Sequence, residues 1–158
     1  MFFNDYIDSP ATPLFPFGHG LTYTTFEYSQ FEVTASTTAA PILVSVDVRN
    51  TGERAGDEVV QLYVRDNVAS VARPDRQLVG FIRMALESGE TRRVTFTVDP
   101  SRLAFYDPQM RFVVEPGAFT FAVGASSADI RAQQAVTLGG EVLEHRQRSI
   151  IATRVDLD

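Results

Sequence analysis

Apolar and polar residues alternate along most of the chain after Thr25. The alternation is clearest in 42–50, where Ile42, Val44, Val46 and Val48 are apolar and the positions between them run through Ser45, Asp47 and Arg49. A period of two puts alternate side chains on opposite faces of a strand, so this stretch predicts a strand with one buried face. The same alternation predicts strands at 60–65, 93–98 and 118–123. Further strands are expected at 26–36, 77–86, 110–115 and 130–138.

Turn-forming residues separate these segments, as in Asn50-Thr-Gly52, Glu87-Ser-Gly-Glu90 and Glu115-Pro-Gly117. No amphipathic helical run of ten or more residues interrupts them. About eight short strands with regular turns predict an all-β, two-sheet antiparallel sandwich. Tyr106 precedes one predicted strand, and it is our candidate for a hydroxyl that locks a corner of the sandwich.

Residues 1–24 form a block of different composition, with three of the eight prolines and four of the twelve phenylalanines. Because proline fixes φ and removes a hydrogen-bond donor, the block predicts an extended loop. Large apolar side chains on such a loop need a partner. They either pack on the following domain or lie between two domains. The candidate docking residues are Phe15, Phe17, Leu21 and Tyr23.

Composition excludes several function classes. The chain has 14 basic residues, all Arg, against 20 acidic residues, for a net charge of −6. Phosphate backbones would repel such a chain, so we expect no nucleic-acid partner. Without Lys or Cys it has no Schiff-base lysine, disulfide or thiolate ligand. No stretch approaches the roughly 20 apolar residues of a membrane span, and the acidic N-terminus is unlike a signal peptide, so we expect no membrane partner.

A search for reactive constellations predicts no catalytic, cofactor-binding or metal site. Asp57 and Glu58 are adjacent, so on a strand they point to opposite faces and cannot flank one glycosidic bond. His19 and His145 lack metal-ligand spacing, and Gly18-His-Gly20 lacks the third glycine and the helix of a dinucleotide site. The arginines of Arg73-Pro-Asp-Arg76 are expected to form local ion pairs.

Several motifs nevertheless occur in an order that resembles one family. Residues 13–28, PLFPFGHGLTYTTFEY, resemble the linker of glycoside hydrolase family 3 β-glucosidases and β-xylosidases. Residues 50–66, NTGERAGDEVVQLYVRD, resemble the start of their C-terminal fibronectin type III-like domain. Phe112 stands where the family often has Trp, and Thr22 where Ser is common. The motifs that follow in family order are Arg73-Pro74, Gln77–Phe81, Leu86–Glu90, Leu103–Asp107, Glu115–Gly117 and Val123–Ser127.

The resemblance implies a fibronectin type III-like, immunoglobulin-like antiparallel β-sandwich of about seven to eight strands with an extended N-terminal linker. The implied division is 1–24 for the linker and the end of a missing upstream domain, 25–138 for the sandwich, and 139–158 for an extension that is either an edge strand or a loose tail. In this family the catalytic carboxylates lie upstream, so the resemblance carries no catalytic residue onto this chain.

Two functions remain open at this point. In the first, the chain is a non-catalytic accessory domain that braces the catalytic domains of a parent glycosidase, which hydrolyses β-glucosides or β-xylosides with retention. In the second, it is a module that binds polysaccharide or cell-wall polymer through the loop at 66–76. Autonomous catalysis is not expected. The resemblance is compatible with a secreted or periplasmic parent, and it leaves the localisation of this chain unknown.

Overall fold

The computed structural model describes residues 12–145 and 153–158. Within these residues the chain is built from strands, with a single 3-10 turn at Pro100–Leu103. The strands are Phe26–Thr34 (β1), Ile42–Asn50 (β2), Gly56–Asp66 (β3), Gln77–Leu86 (β4), Thr91–Val98 (β5), Phe105–Tyr106 (β6), Phe112–Val114 (β7), Gly117–Gly124 (β8), Ile130–Leu138 (β9), Leu143–Glu144 (β10) and Arg154–Leu157 (β11).

Two four-stranded antiparallel sheets form the sandwich. The first sheet has the order β1-β2-β5-β11 and the second has the order β4-β3-β8-β9. A smaller sheet, β10-β7-β6, lies beside them. The inward faces of the two large sheets meet in one apolar core, whose largest fully buried side chains include Phe96, Phe121, Ile42, Leu62 and Leu86. The prediction of an all-β antiparallel sandwich is therefore confirmed.

The period-two pattern identified the long strands and their buried faces. In β2 the residues Ile42, Val44, Val46 and Val48 are all fully buried, as predicted. The strands expected at 77–86 and 130–138 have these bounds in the structure. In the extension, for which the sequence allowed two interpretations, Arg154–Leu157 is an edge strand that pairs with β5. Residues 1–11 of the predicted linker and 146–152 of the extension lie outside the described residues.

Strand β3 departs from the simple alternation. Its core-facing residues Val60, Leu62 and Val64 are buried as expected, but Gln61 and Tyr63 on the opposite face are buried too. Gln61 is covered by the N-terminal segment, because Gly18 lies against its side chain and accepts a hydrogen bond from its Nε2. The Tyr63 hydroxyl in turn donates to Oε1 of Gln61. Strand β3 therefore lies between the core and a second layer of chain.

The corner prediction for Tyr106 is wrong. The side chain is exposed, its ring lies 5.1 Å from that of Phe112, and its hydroxyl makes no hydrogen bond with any described residue. The next residue, Asp107, holds the turn between β6 and β7. Its carboxylate accepts hydrogen bonds from the backbone amides of Gln109 (2.9 Å) and Arg111 (2.8 Å) and from Nε of Arg111 (2.8 Å).

Candidate functional site

The N-terminal segment is fixed to the second sheet through the amide side chain of Gln61. Nε2 of Gln61 donates to the carbonyl oxygens of Gly18 (3.1 Å) and Ala125 (2.6 Å). The backbone amide of Ser127 donates to the Phe17 carbonyl over 2.9 Å. Gly18 has φ +79°, and a Cβ there would lie 2.0 Å from Oε1 of Gln61, so both its conformation and its close approach require glycine.

The other end of the segment is fixed by Asn50, which is fully buried at the end of β2. Its Oδ1 accepts from Oγ1 of Thr24 (2.6 Å) and from the Gly52 amide (3.0 Å). Its Nδ2 donates to the carbonyls of Arg54 (2.7 Å) and Leu86 (3.0 Å). The side chain of Asn50 thus connects the N-terminal segment, the turn after β2 and the last residue of β4.

The four candidate docking residues lie on this anchored segment and are exposed. Phe15, Phe17, Leu21 and Tyr23 have between 66% and 97% of their surface open to solvent. The interpretation in which they pack on the sandwich is therefore wrong. The backbone of the segment is held by hydrogen bonds, and these large side chains point away from the core. The Phe15 ring has one aromatic neighbour, His19, at 5.2 Å.

Two of the four residues line a groove of about 660 Å³ between the segment and the second sheet. We call it the N-terminal groove and define its apolar wall by Phe17, Leu21, Val59, Leu78 and Phe81. Phe15 and Tyr23 lie outside it.

Phe81 was not among the candidate docking residues, which all lie in the N-terminal block. It is 63% exposed, although Phe96, Phe119 and Phe121 are buried. The signal was available: Phe81 has the opposite parity to Ile82, Met84 and Leu86, and so lies on the outer face of β4.

Besides its apolar wall, the N-terminal groove is lined by three residues with carboxylate side chains, and two of these carboxylates have arginine partners. Asp57 is paired with Arg83, and Asp129 is paired with Arg131 at 2.8 Å. The third, Glu58, is only 7% exposed and accepts a 2.9 Å hydrogen bond from the Tyr28 hydroxyl, which comes from the opposite sheet. As predicted, Asp57 and Glu58 point to opposite faces of β3.

Burial controls the ionisation of the Glu58–Tyr28 pair. Burial raises the pKa of Glu58 above its ordinary value of 4.5, although the hydrogen bond from Tyr28 and the charge of Arg131 oppose the shift. Burial also raises the pKa of Tyr28, and the negative charge of Glu58 adds to this effect. The proton therefore stays on the tyrosine, and Glu58 is the acceptor.

The groove does not have the geometry of a hydrolytic centre. Its carboxylates are either ion-paired or hydrogen-bonded toward the core, and Asp57 and Glu58 cannot face one bond from two sides. Among residues 12–145 and 153–158 no group of three or more His, Asp or Glu could hold a metal ion. Within the same residues, no helix is long and apolar enough to cross a membrane.

The loop at 66–76, the alternative binding site, is held by local contacts. Arg65 pairs with Asp75 at 3.2 Å, and Arg73 lies 3.9 Å from Asp66 with its guanidinium 4.6 Å above the Phe105 ring. Arg76 donates to the Ser127 carbonyl over 2.6 Å. Local ion pairs were predicted here. The open cleft beside the loop has no aromatic side chain on which a sugar ring could stack.

Comparisons with known proteins identify a family-model match and close sequence relatives of the chain. Residues 58–127 match the family model described as "Fibronectin type III-like domain". The chain is 44% identical over 147 residues to thermostable β-glucosidase B of Acetivibrio thermocellus, covering 91% of this chain and 19% of that protein. It is 50% identical over 121 residues to a β-xylosidase of Formosa agariphila, covering 75% of this chain and 17% of that protein.

Solved structures agree with the sequence relatives. The crystal structure of the β-glucosidase from Listeria innocua in complex with glucose superposes with a TM-score of 0.81 at 36% identity. The match covers 89% of this chain and 19% of that one. The chain spans less than a fifth of the length of the relatives it matches. Residues 58–127 thus form a fibronectin type III-like domain, and the chain is similar to the C-terminal domain of glycoside hydrolase family 3 β-glucosidases and β-xylosidases.

Proposed function

We propose that this chain is a non-catalytic accessory domain that braces the catalytic domains of a family 3 β-glycosidase. In this proposal residues 1–24 are the linker, 25–138 the sandwich and 139–158 its C-terminal extension. Phe15, Phe17, Leu21 and Tyr23 dock on the catalytic domains together with the rest of the N-terminal groove.

The observation that supports the docking role is the exposure of large apolar side chains on a backbone that is already fixed. Leu21 and Tyr23 are almost fully exposed, while the segment that carries them is hydrogen-bonded through Gly18 and Thr24. Since the backbone is already ordered, docking loses little conformational entropy. Burying a side chain of this size contributes about 1.5–3 kcal/mol, so several of them would hold two domains together.

The reaction is proposed to belong to the parent enzyme. The relatives are named β-glucosidases and β-xylosidases, and we infer that the parent cleaves β-glucosides or β-xylosides. The resemblance implies a retaining mechanism whose two carboxylates lie in the catalytic domains. Neither the N-terminal groove nor the loop at 66–76 supplies such a pair.

A binding experiment tests the bracing role. The 158-residue chain is titrated into thermostable β-glucosidase B of A. thermocellus that has been truncated before the matching region and checked for folding by circular dichroism. Leu21→Ala and Tyr23→Ala should each weaken binding by about tenfold or more. Val68→Ala and Met110→Ala are matched controls because both residues are exposed apolar side chains outside the groove. Equal affinities for all four variants would contradict the docking role.

Two further assays separate the competing functions. The chain alone should release no nitrophenol from nitrophenyl β-glucoside or β-xyloside, and measurable release would refute the accessory role. Calorimetry with insoluble glucans and xylans should show no binding by the chain. Specific binding that is lost when the loop at 66–76 is altered would favour the polysaccharide-binding alternative.

A further inference from the structure

Two buried polar atoms at the loop 66–76 have no hydrogen-bond partner among residues 12–145 and 153–158. They are Oδ1 of Asp66, the last residue of β3, and Nε of Arg73, which lies within the loop. The side chains of Asp66 and Arg73 are only 7% and 16% exposed. Burying a charged group without hydrogen bonds is unfavourable, so this arrangement requires a further hydrogen-bond partner.

The two side chains do not hydrogen-bond to each other. Oδ2, the second carboxylate oxygen of Asp66, lies 3.9 Å from Nε of Arg73, which is beyond hydrogen-bond distance. The hydrogen bonds that Arg73 makes with described residues come from Nη2 and are long, at 3.4 Å to Oε1 of Gln77 and 3.4 Å to the Leu103 carbonyl. The guanidinium also lies 4.6 Å above the Phe105 ring, which positions it at this distance from the carboxylate.

A cavity of about 10 Å³ is lined by both side chains. Gln77 also lines it, and its other lining residues are apolar. A buried water needs a volume of about 10–15 Å³ and two to four polar partners, so the cavity has room for a single water and for no larger ligand. A water with hydrogen bonds of about 2.9 Å joins polar atoms that are about 4–6 Å apart, which suits the separation of Asp66 and Arg73.

The electrostatics of the pair agree with a hydrogen-bond donor at this position. Burial raises the pKa of Asp66 above its ordinary value, and the charge of Arg73 opposes that shift. A hydrogen bond donated to the carboxylate favours its charged form, and a water can donate to Asp66 while it accepts from Arg73.

We propose that one water molecule binds in this cavity, donates a hydrogen bond to Oδ1 of Asp66 and accepts one from Nε of Arg73. The water joins the two charged groups and thereby holds the loop 66–76 against the end of β3. This site is independent of the docking role of the N-terminal groove. The competing arrangement is a direct ion pair, in which Nε of Arg73 moves onto the carboxylate and the cavity closes.

A crystal structure of the 158-residue chain that resolves ordered waters tests the site directly. The proposal predicts one water within about 2.6–3.2 Å of both Oδ1 of Asp66 and Nε of Arg73. Arg111 and Asp107 are the matched control in the same map, because Nε of Arg111 donates directly to Asp107 over 2.8 Å and needs no bridging water. A cavity without water density, or a direct bond from Nε of Arg73 to Asp66, would refute the proposal.

Magnetic relaxation dispersion of water measures the same site in solution. The double variant Asp66→Leu/Arg73→Met removes both polar partners, so it should lose about one long-lived water per chain. Asp75→Leu/Arg65→Met is the matched control, because it makes the same changes to an ion pair whose side chains are 71% and 57% exposed. The control should have as many long-lived waters as the unaltered chain.

Two results in solution would contradict the site. The first is an equal number of long-lived waters in the unaltered chain and in Asp66→Leu/Arg73→Met. The second is an equal loss in both double variants, because the lost water would then not depend on Asp66 and Arg73. Circular dichroism establishes that each variant is folded, and if Asp66→Leu/Arg73→Met does not fold, the crystal structure of the unaltered chain decides.

Discussion

Replacement of Asn50 by alanine should destabilise the whole domain, because this side chain joins three separate parts of the chain. Its four hydrogen bonds reach Thr24 in the N-terminal segment, Gly52 and Arg54 in the following turn, and Leu86 at the end of β4. Alanine makes none of these bonds and leaves a cavity where the amide was.

The expected loss of stability follows from which partners water can reach. The bond to the Leu86 carbonyl is buried, so its loss leaves an unsatisfied acceptor at a cost of about 1–3 kcal/mol. The other three bonds are partly buried, and water replaces part of each, so we assign about 0.5–1 kcal/mol to each of them. The sum is about 2.5–6 kcal/mol, which for a chain of this size lowers Tm by on the order of 10 °C.

Urea denaturation followed by far-UV circular dichroism measures this difference. Asn67→Ala is the matched control, because Asn67 is exposed and its side chain bonds only to Thr120. It should cost less than about 0.5 kcal/mol. Asn50→Asp keeps the acceptor but turns a carboxylate oxygen toward two carbonyls, so it should be destabilising at neutral pH and less so below its ordinary pKa of about 3.9. If Asn50→Ala cost no more than Asn67→Ala, the assignment of Asn50 as the anchor of the segment would be refuted.

Three further substitutions test other parts of the structure. Gly18→Ala should detach the segment from Gln61, at a cost of about 1–2 kcal/mol from the positive φ alone, and hydrogen exchange of the Ser127 amide should accelerate. Glu58→Gln should become more stable relative to the unaltered chain as pH rises above 4.5, because in the unaltered chain the unfolded state ionises before the folded one; urea titrations across pH measure this. Asp107→Ala should lower the urea midpoint, since it removes the hydrogen bonds that this carboxylate accepts from Gln109 and Arg111.

Each of these predictions has a control or a refuting result. Gly20→Ala should leave Ser127 exchange unchanged, because Gly20 has no neighbour within 4 Å, and equal acceleration in both variants would contradict the anchoring of Gly18. A pH-independent difference between Glu58→Gln and the unaltered chain would mean that burial does not raise the Glu58 pKa. Asp156→Ala should change the stability very little, since Asp156 forms only an exposed ion pair with Arg154. If Asp107→Ala changed the stability equally little, the role of Asp107 in the turn would be refuted.

The fold could be predicted from the sequence because the alternation of apolar and polar residues along a strand indicates which of its faces is buried. Where one face of a strand meets the core and the other meets water, as in β2, the apolar positions in the sequence are the buried positions in the structure. The prediction was less complete at β3, since period-two patterning assumes one buried face. Gln61 is covered by a segment distant in sequence, and the pattern of the strand itself does not predict that second layer.

The candidate site was predicted only in part, for the same reason. Phe17 and Leu21 were found because large apolar residues on a proline-rich loop are conspicuous. Phe81 was not predicted, although its parity in β4 places it on the outer face of the sheet. Glu58 shares the parity of Val60 and Leu62 in β3, which places it on the inner face. The sequence does not identify its hydrogen-bond donor, because Tyr28 comes from the opposite sheet.

The two faces of the second sheet have different roles, since the inner face stabilises the fold and the outer face carries the proposed docking surface. The inner face is apolar and satisfied by the first sheet, so substitutions there change stability. The outer face is covered in part by the N-terminal segment, which is anchored at Gln61. Asn50 of the first sheet holds the other end of the segment at Thr24. Phe17 and Leu21 of the segment line one groove together with Phe81. The anchoring hydrogen bonds stabilise the isolated chain, but the outward-facing apolar side chains of the segment remain in water there. Those side chains are buried only when another surface covers the groove, which is the role that the docking proposal assigns to it.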